Sequence, residues 1–385
     1  MPEKDINNPT SVLGAIGVMV MVPMFFLVMP IYVGALADDF GFTNAQIGYL
    51  ISIELGSGAL ASLTALFWLR KLNWRHMLFV LLAVLGAANL ISIQAGGSYE
   101  ELLFIRATAG FAAGAMMAIA LAALGDTRNQ DRNFALGIVA QLTVSGSLLL
   151  VLPLFVVRWG AASVFMVFLA ACVIAMPLVR LVPAAGKTPS VTRITERRSL
   201  LPLWGLAGSA AIFIGQSAVW AFIERMGSVA GLSPRTIGIA LGVSVFAGIG
   251  GAFSAFWLAD RKGRLMPMVV AMIGEVICLL FLLGGFTTAI FFAVVIVYSV
   301  FWNFWVPYQM SVVAVTDVSG RFIALITFFQ AVGIAVGPAM VGPLLNQNNF
   351  DPVIWTGIGF AVLAMVLFLP VTVGYKQSSA EPAHT

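Results

Sequence analysis

Glu54, Arg106 and Glu275 each stand deep inside long runs of apolar residues. A charge in hydrocarbon is costly, so such groups face a partner or a water-filled path, and proton relays are built from them. Desolvation favours a neutral acid, whereas a nearby cation favours the carboxylate, so a buried acid beside a guanidinium can exchange a proton. Glu54 and Arg106 are therefore the candidate proton-coupling residues. For Arg106 the alternative is snorkelling, since it lies only seven residues from the start of its run at Tyr99. Glu275 is read as structural, hydrogen-bonded to a neighbouring helix. Other chemistry is not in view. The two histidines are His76, at a loop, and His384, in the tail. No metal-ligand cluster, phosphate-binding Gly-Lys-Ser/Thr loop or nucleotide domain is legible, so an enzyme, a bound metal and a cofactor are not expected, nor is ATP-driven transport within this chain. Cys172 and Cys278 lie in apolar runs, which argues against a structural disulfide.

The elements that position these residues follow from composition. The chain has 385 residues, 61% hydrophobic and 9% charged, where a soluble domain carries about 25% charged residues. Apolar runs long enough to cross a bilayer recur throughout, and they are continuous rather than alternating, which predicts helices and not a barrel. The net charge of +4 is spread over short loops and indicates no nucleic-acid partner. Twelve spans are predicted, roughly 11–36, 43–69, 76–96, 99–125, 133–157, 162–183, 201–226, 234–258, 265–286, 288–315, 321–345 and 351–374. The splits at Gly96-Gly97-Ser98 and Gly284-Gly285 rest on length, because one crossing cannot hold such runs. The first run is too long for a signal-peptide core and is read as span 1. With the N-terminus inside, sixteen Lys and Arg fall on the cytoplasmic side and three outside, Arg158, Arg225 and Arg235. That asymmetry places both termini in the cytoplasm, in a bacterial inner membrane.

The chain also repeats itself. Arg132-Asn133-Phe134-Ala135-Leu136 matches Arg321-Phe322-Ile323-Ala324-Leu325, and Phe67-Trp68-Leu69 matches Phe256-Trp257-Leu258, both 189 residues on. Parallel repeats in an all-helical membrane chain mark a transporter that rocks two halves about a central site. The expected organisation is a six-helix bundle over 1–183, a basic cytoplasmic linker over 184–200, and a second six-helix bundle over 201–385.

Twelve spans in two pseudo-symmetric halves, with a basic central loop and internal termini, resemble the major facilitator superfamily. The sharpest local match is Asp260-Arg261-Lys262-Gly263-Arg264, which resembles the family's charged loop between spans 8 and 9. The resemblance implies a cytoplasmic latch through Asp260, Arg261 and Arg264. The corresponding loop between spans 2 and 3 is decayed and keeps Arg70 and Arg75 without Asp or Gly. In span 4, Arg106 followed by Gly110 and Gly114 resembles the family's Arg with small residues behind it, where another helix can approach closely. Gly333-x-x-x-Gly337-Pro338 in span 11 resembles the Gly-Pro motif of drug/proton antiporters, but that motif belongs in span 5, so packing is the reading here.

The resemblance further implies that spans 1, 4, 7 and 10 line a cavity. The candidate solute-binding residues are then Phe25, Met29, Tyr32, Arg106, Gln216, Trp220, Tyr298, Trp302, Asn303, Tyr308 and Gln309. Aromatics of this density stack on flat or amphipathic solutes, with amides as polar anchors. Asp38-Asp39 and Glu224-Arg225 close the first span of each half and are read as interface markers. The expected function is proton-coupled secondary transport of a small hydrophobic or aromatic organic solute, leaning to efflux. Alternatives are uptake of an organic monocarboxylate, an uncoupled facilitator, or a non-transporting sensor of the same fold. The partners are then the solute, protons and the lipid bilayer, and a monomer is the default.

Overall fold

The computed structural model describes residues 5–22, 24–95, 97–186, 201–258, 265–317, 321–346 and 349–380. Among the described residues the regular elements are all helical. Span 1 is made of α1 (Pro9–Met21), α2 (Met24–Leu27) and α3 (Met29–Phe40). There follow α4 (Asn44–Trp68), α5 (Trp74–Gln94), α6 (Tyr99–Gly125), α7 (Gln130–Trp159) and α8 (Ala162–Val179). The second half contains α9 (Leu201–Val229), α10 (Pro234–Leu258), α11 (Leu265–Leu280), α12 (Thr288–Thr316), α13 (Arg321–Val341) and α14 (Asp351–Ala380), with a single 3-10 turn at Gly342–Leu344. Ten of these helices are long and apolar enough to cross a membrane, while α1 and α11 are shorter apolar helices. Residues 187–200 of the expected linker lie outside the described residues.

Sequence chemistry explains the boundaries. Asn8 caps α1 by accepting from the Thr10 N–H at 3.1 Å, with Pro9 in the first turn where its missing N–H costs nothing. Thr43 and Gln46 form a capping box at the start of α4. Asn73 accepts from the His76 N–H at 3.1 Å and opens α5. Gly41, at φ 63°, ends α3 in the left-handed conformation that favours glycine.

Several spans differ from the sequence reading. Span 1 is not one helix over 11–36. It breaks at Val28, and α3 restarts with Pro30 in its first turn, because a proline supplies no N–H to the turn before it. It also continues past Asp38-Asp39 to Gly41, since a turn-forming glycine stops a helix more firmly than two acids do. Span 7 runs through Glu224-Arg225 to Val229, with Glu224 buried, so this pair does not mark the helix end. Span 9 stops at Leu280, and the chain turns through Gly284 and Gly285, at φ 72° and 101°, before α12.

The chain divides into two compact units. One contains α1 to α8 together with residues 234–242, and the other contains the rest of the second half. In the first unit α4 and α6 touch backbone to backbone. A Cβ at Gly110 would lie 1.9 Å from the Glu54 carbonyl oxygen, and one at Gly114 would lie 2.0 Å from that of Gly58. In the second unit α13 packs as closely on α9. A Cβ at Gly333 would lie 2.5 Å from the Ala210 carbonyl oxygen, and one at Gly337 would lie 2.3 Å from that of Ile214. The displaced Gly-Pro segment is thus a packing surface. The glycines put polar backbone close to polar backbone, where small residues let helices bind by dispersion and hydrogen bonds.

Candidate functional site

The α4–α6 crossing brings Glu54 and Arg106 together. Arg106 is 1% exposed and Glu54 5%. The Arg106 Nε–H donates to Glu54 Oε2 at 2.9 Å, and Nη2 donates to Glu54 Oε1 to complete a bidentate pair. Nη1 donates to Asn89 Oδ1 at 2.9 Å and to the Ser92 hydroxyl at 3.4 Å, both on α5. All three guanidinium nitrogens are therefore engaged, and Arg106 does not snorkel to the interface. The rings of Phe165 and Phe25 lie 5.4 and 5.8 Å from its central carbon, within reach of cation–π attraction. Phe25 meets Tyr32 edge-on at 5.2 Å, and Tyr32 meets Phe165 at 5.6 Å. Tyr32 and Met29 are fully buried, and the Tyr32 hydroxyl makes no hydrogen bond among the described residues. A small cavity is lined by Glu54, Arg106, Asn89, Phe25, Met21 and Cys172 among others. The unit thus offers a charge pair that is desolvated yet bordered by open space.

The second unit carries a different arrangement. Glu275 on α11 is 1% exposed. It accepts from Gln216 Nε2 on α9 and from Trp305 Nε1 on α12, each at 2.9 Å. Gln216 therefore reaches a protein carboxylate. Trp302 is the hub of the aromatics, meeting Trp220 at 6.2 Å, Tyr298 at 6.3 Å and Phe213 at 6.4 Å, all edge-to-face. Asn303 folds its amide back onto the Ser299 carbonyl at 2.9 Å. The Tyr308 hydroxyl donates weakly to the Ala255 carbonyl at 3.4 Å. Gln309 is fully buried, and neither end of its amide has a hydrogen-bond partner among the described residues. Of the expected solute residues, Trp220, Tyr298 and Trp302 form one cluster, while Asn303 and Tyr308 are occupied elsewhere.

Of the expected gate residues, Asp260, Arg261 and Arg264 lie outside the described residues. Arg70 pairs bidentately with Asp126, at 2.5 and 3.1 Å, and stacks over Trp74 at 5.5 Å. Arg75 donates from Nε to the Val182 carbonyl at 3.0 Å, and the Trp74 N–H donates to the Ala184 carbonyl at 2.8 Å. The decayed loop after α4 thus takes its acid from the end of α6. The Arg70 and Asp126 side chains are 35% and 11% exposed. Asp126→Asn is expected to cost about 1 kcal/mol or less, the range of solvent-screened pairs. Thermal unfolding in detergent measures it, and a loss of several kcal/mol would contradict so small a role.

Sequence reasoning missed Asn89, Ser92, Phe165 and Asp126. The first two carried a signal, because polar residues three apart share one face of an otherwise apolar helix. Asp39, expected only as an interface marker, accepts from the Ala161 N–H at the start of α8 and so satisfies a helix N-terminus.

The Major Facilitator Superfamily family model matches residues 14–338, and the chain belongs to that superfamily of transporters. The multidrug resistance protein MdtH of Photorhabdus laumondii subsp. laumondii is 27% identical over 201 residues, 46% of this chain and 46% of that protein. The alignment therefore spans about half the length of that curated relative. Among solved structures, a D-xylose–proton symporter superposes with a TM-score of 0.77 at 13% identity, covering 94% of this chain and 97% of that one. A point mutant of the nucleoside transporter NupG gives 0.74 at 12%, covering 94% and 99%. A bacterial homologue of the lysosomal transporter Spinster gives 0.66 at 14%, covering 97% of each. At these identities the likeness is one of fold.

Proposed function

We propose that the chain is a proton-coupled secondary transporter that moves a small hydrophobic or aromatic organic solute by alternating access, in the direction of export. The observation that carries this reading is the buried Glu54–Arg106 pair. A proton added to Glu54 removes the charge that holds Arg106, so α4 and α6 lose their strongest tie when the acid is neutral. The neighbouring cavity supports access of water to the pair. The Trp220–Tyr298–Trp302 cluster supports an aromatic solute, and the name of the multidrug relative supports export. An organic monocarboxylate is less well supported as solute, because Arg106 already meets a carboxylate. The Arg70 pair and the charged stretch Asp260 to Arg264 act as cytoplasmic latches in this reading. The protein works as a monomer, with both termini in the cytoplasm.

The test is transport of a fluorescent lipophilic aromatic solute into proteoliposomes under an imposed pH gradient. The wild type is expected to move solute uphill. Glu54→Gln is expected to lose uphill movement and keep solute exchange. A wild type indifferent to the gradient, or a Glu54→Gln variant that still concentrates solute, would sink the proposal.

A further inference from the structure

Each unit buries a carboxylate deep in an apolar run, Glu54 in one and Glu275 in the other, and the two are held in opposite ways. Glu54 faces a guanidinium. Glu275 faces only neutral donors, the amide of Gln216 and the indole N–H of Trp305. Among the described residues it makes no ion pair. The ionisable groups around it are Cys278 on its own helix and Tyr298 on α12. From α9 it meets Gln216, and on α14 the only ionisable residue with a described side chain is Asp351, at the first position. None of these is a cation. An ionised carboxylate buried without a counter-charge is among the most costly groups a fold can hold, and neutral hydrogen bonds offset only part of that.

The hydrogen-bond pattern accommodates the neutral acid as well as the carboxylate. Both donors reach the same oxygen, Oε1. A proton taken from water onto Oε2 therefore breaks neither bond, since the acid's carbonyl oxygen still accepts. The other end of the Gln216 amide, its Oε1, is buried with no hydrogen-bond partner. The carboxyl is tied to the aromatic cluster as well. Trp305 meets Phe213 at 6.0 Å, and Phe213 meets Trp302 at 6.4 Å.

We infer that Glu275 is a second proton-carrying site, in the second unit, and that Gln216 and Trp305 pass its protonation state to the aromatic cluster around Trp302. The consequence for transport rests on the coupling proposed above, whereas the proton site itself does not. Each unit would then carry its own proton-sensitive group, one released from an ion pair and one neutralised in place.

The experiment is infrared difference spectroscopy of the purified protein in lipid, between acidic and alkaline pH, without solute. The carbonyl stretch of a protonated carboxyl is expected to appear on acidification. One component of that band is expected to be lost in Glu275→Gln and retained in Glu54→Gln. Trp305→Phe keeps the carboxyl, removes one donor, and is expected to move the midpoint of the band; it serves also if Glu275→Gln fails to fold. A band unchanged by both Glu275→Gln and Trp305→Phe overturns the inference. A band that behaves as expected in a protein that ignores the pH gradient would refute the coupling reading and leave this site standing.

Discussion

Arg106→Ala is expected to abolish transport and to destabilise the protein by about 3–5 kcal/mol, the usual cost of removing one partner from a buried ion pair. The loss has two sources. Glu54 keeps its charge and its burial but loses the bidentate donor, and the Asn89 carbonyl and Ser92 hydroxyl lose the Nη1 that both now meet. Phe25 and Phe165 lose the cation near their faces, worth roughly 0.5–2 kcal/mol each. A neutral replacement of both partners behaves differently, because a well-packed apolar pair can match a buried ion pair in stability. Glu54→Leu with Arg106→Met is therefore expected to recover most of the melting temperature without recovering transport. Thermal unfolding of the wild type, the two single variants and the double variant measures this cycle. If Arg106→Ala melts with the wild type, the pair is not the tie between α4 and α6 described above.

Glu54 and Arg106 are legible in sequence because an ionisable residue in an apolar run has so few explanations. That they bond to each other is less legible, since it depends on the register of α4 against α6. The register is in turn set by Gly58, Gly110 and Gly114, whose spacing could be read as close packing but not as a pairing. Asn89 and Ser92 show the limit more clearly: their three-residue spacing marks a face, and nothing in the chain says which helix that face meets. Span 1 shows an overlooked local signal, Pro30, which hydropathy averages away. Asp126 stands for a third kind of miss. The loop after α4 lacks the acid a latch needs, and the fold supplies one from the end of α6, more than fifty residues on. The bond of Trp305 to Glu275 depends on the rotation of α12 about its axis, which the sequence does not state.

Gly110→Ala is expected to be as damaging as loss of the charge it supports. Its Cβ would lie 1.9 Å from the Glu54 carbonyl oxygen and 2.5 Å from the Ser57 hydroxyl. The first is backbone and cannot rotate away. The helices must therefore separate, and the displaced residue is Glu54 itself, so the bidentate pair opens together with the packing. Gly114→Ala acts one turn along, against the Gly58 carbonyl at 2.0 Å. It would also move the Gly114 carbonyl that accepts from the Ser62 hydroxyl at 3.2 Å. Overpacking typically costs about 1–3 kcal/mol, and the lost ion-pair geometry adds to it, so several kcal/mol and complete loss of transport are expected for Gly110→Ala. Gly86→Ala is the control, since its Cβ would make only ordinary contacts, at 3.8 Å to Leu169 and 3.9 Å to Cys172. In a helix that exchange gains up to about 1 kcal/mol of propensity. Melting temperatures and uphill transport of the three variants decide the matter. A Gly110→Ala protein that melts and transports like Gly86→Ala would show that α4 and α6 do not need this contact to hold Glu54 against Arg106.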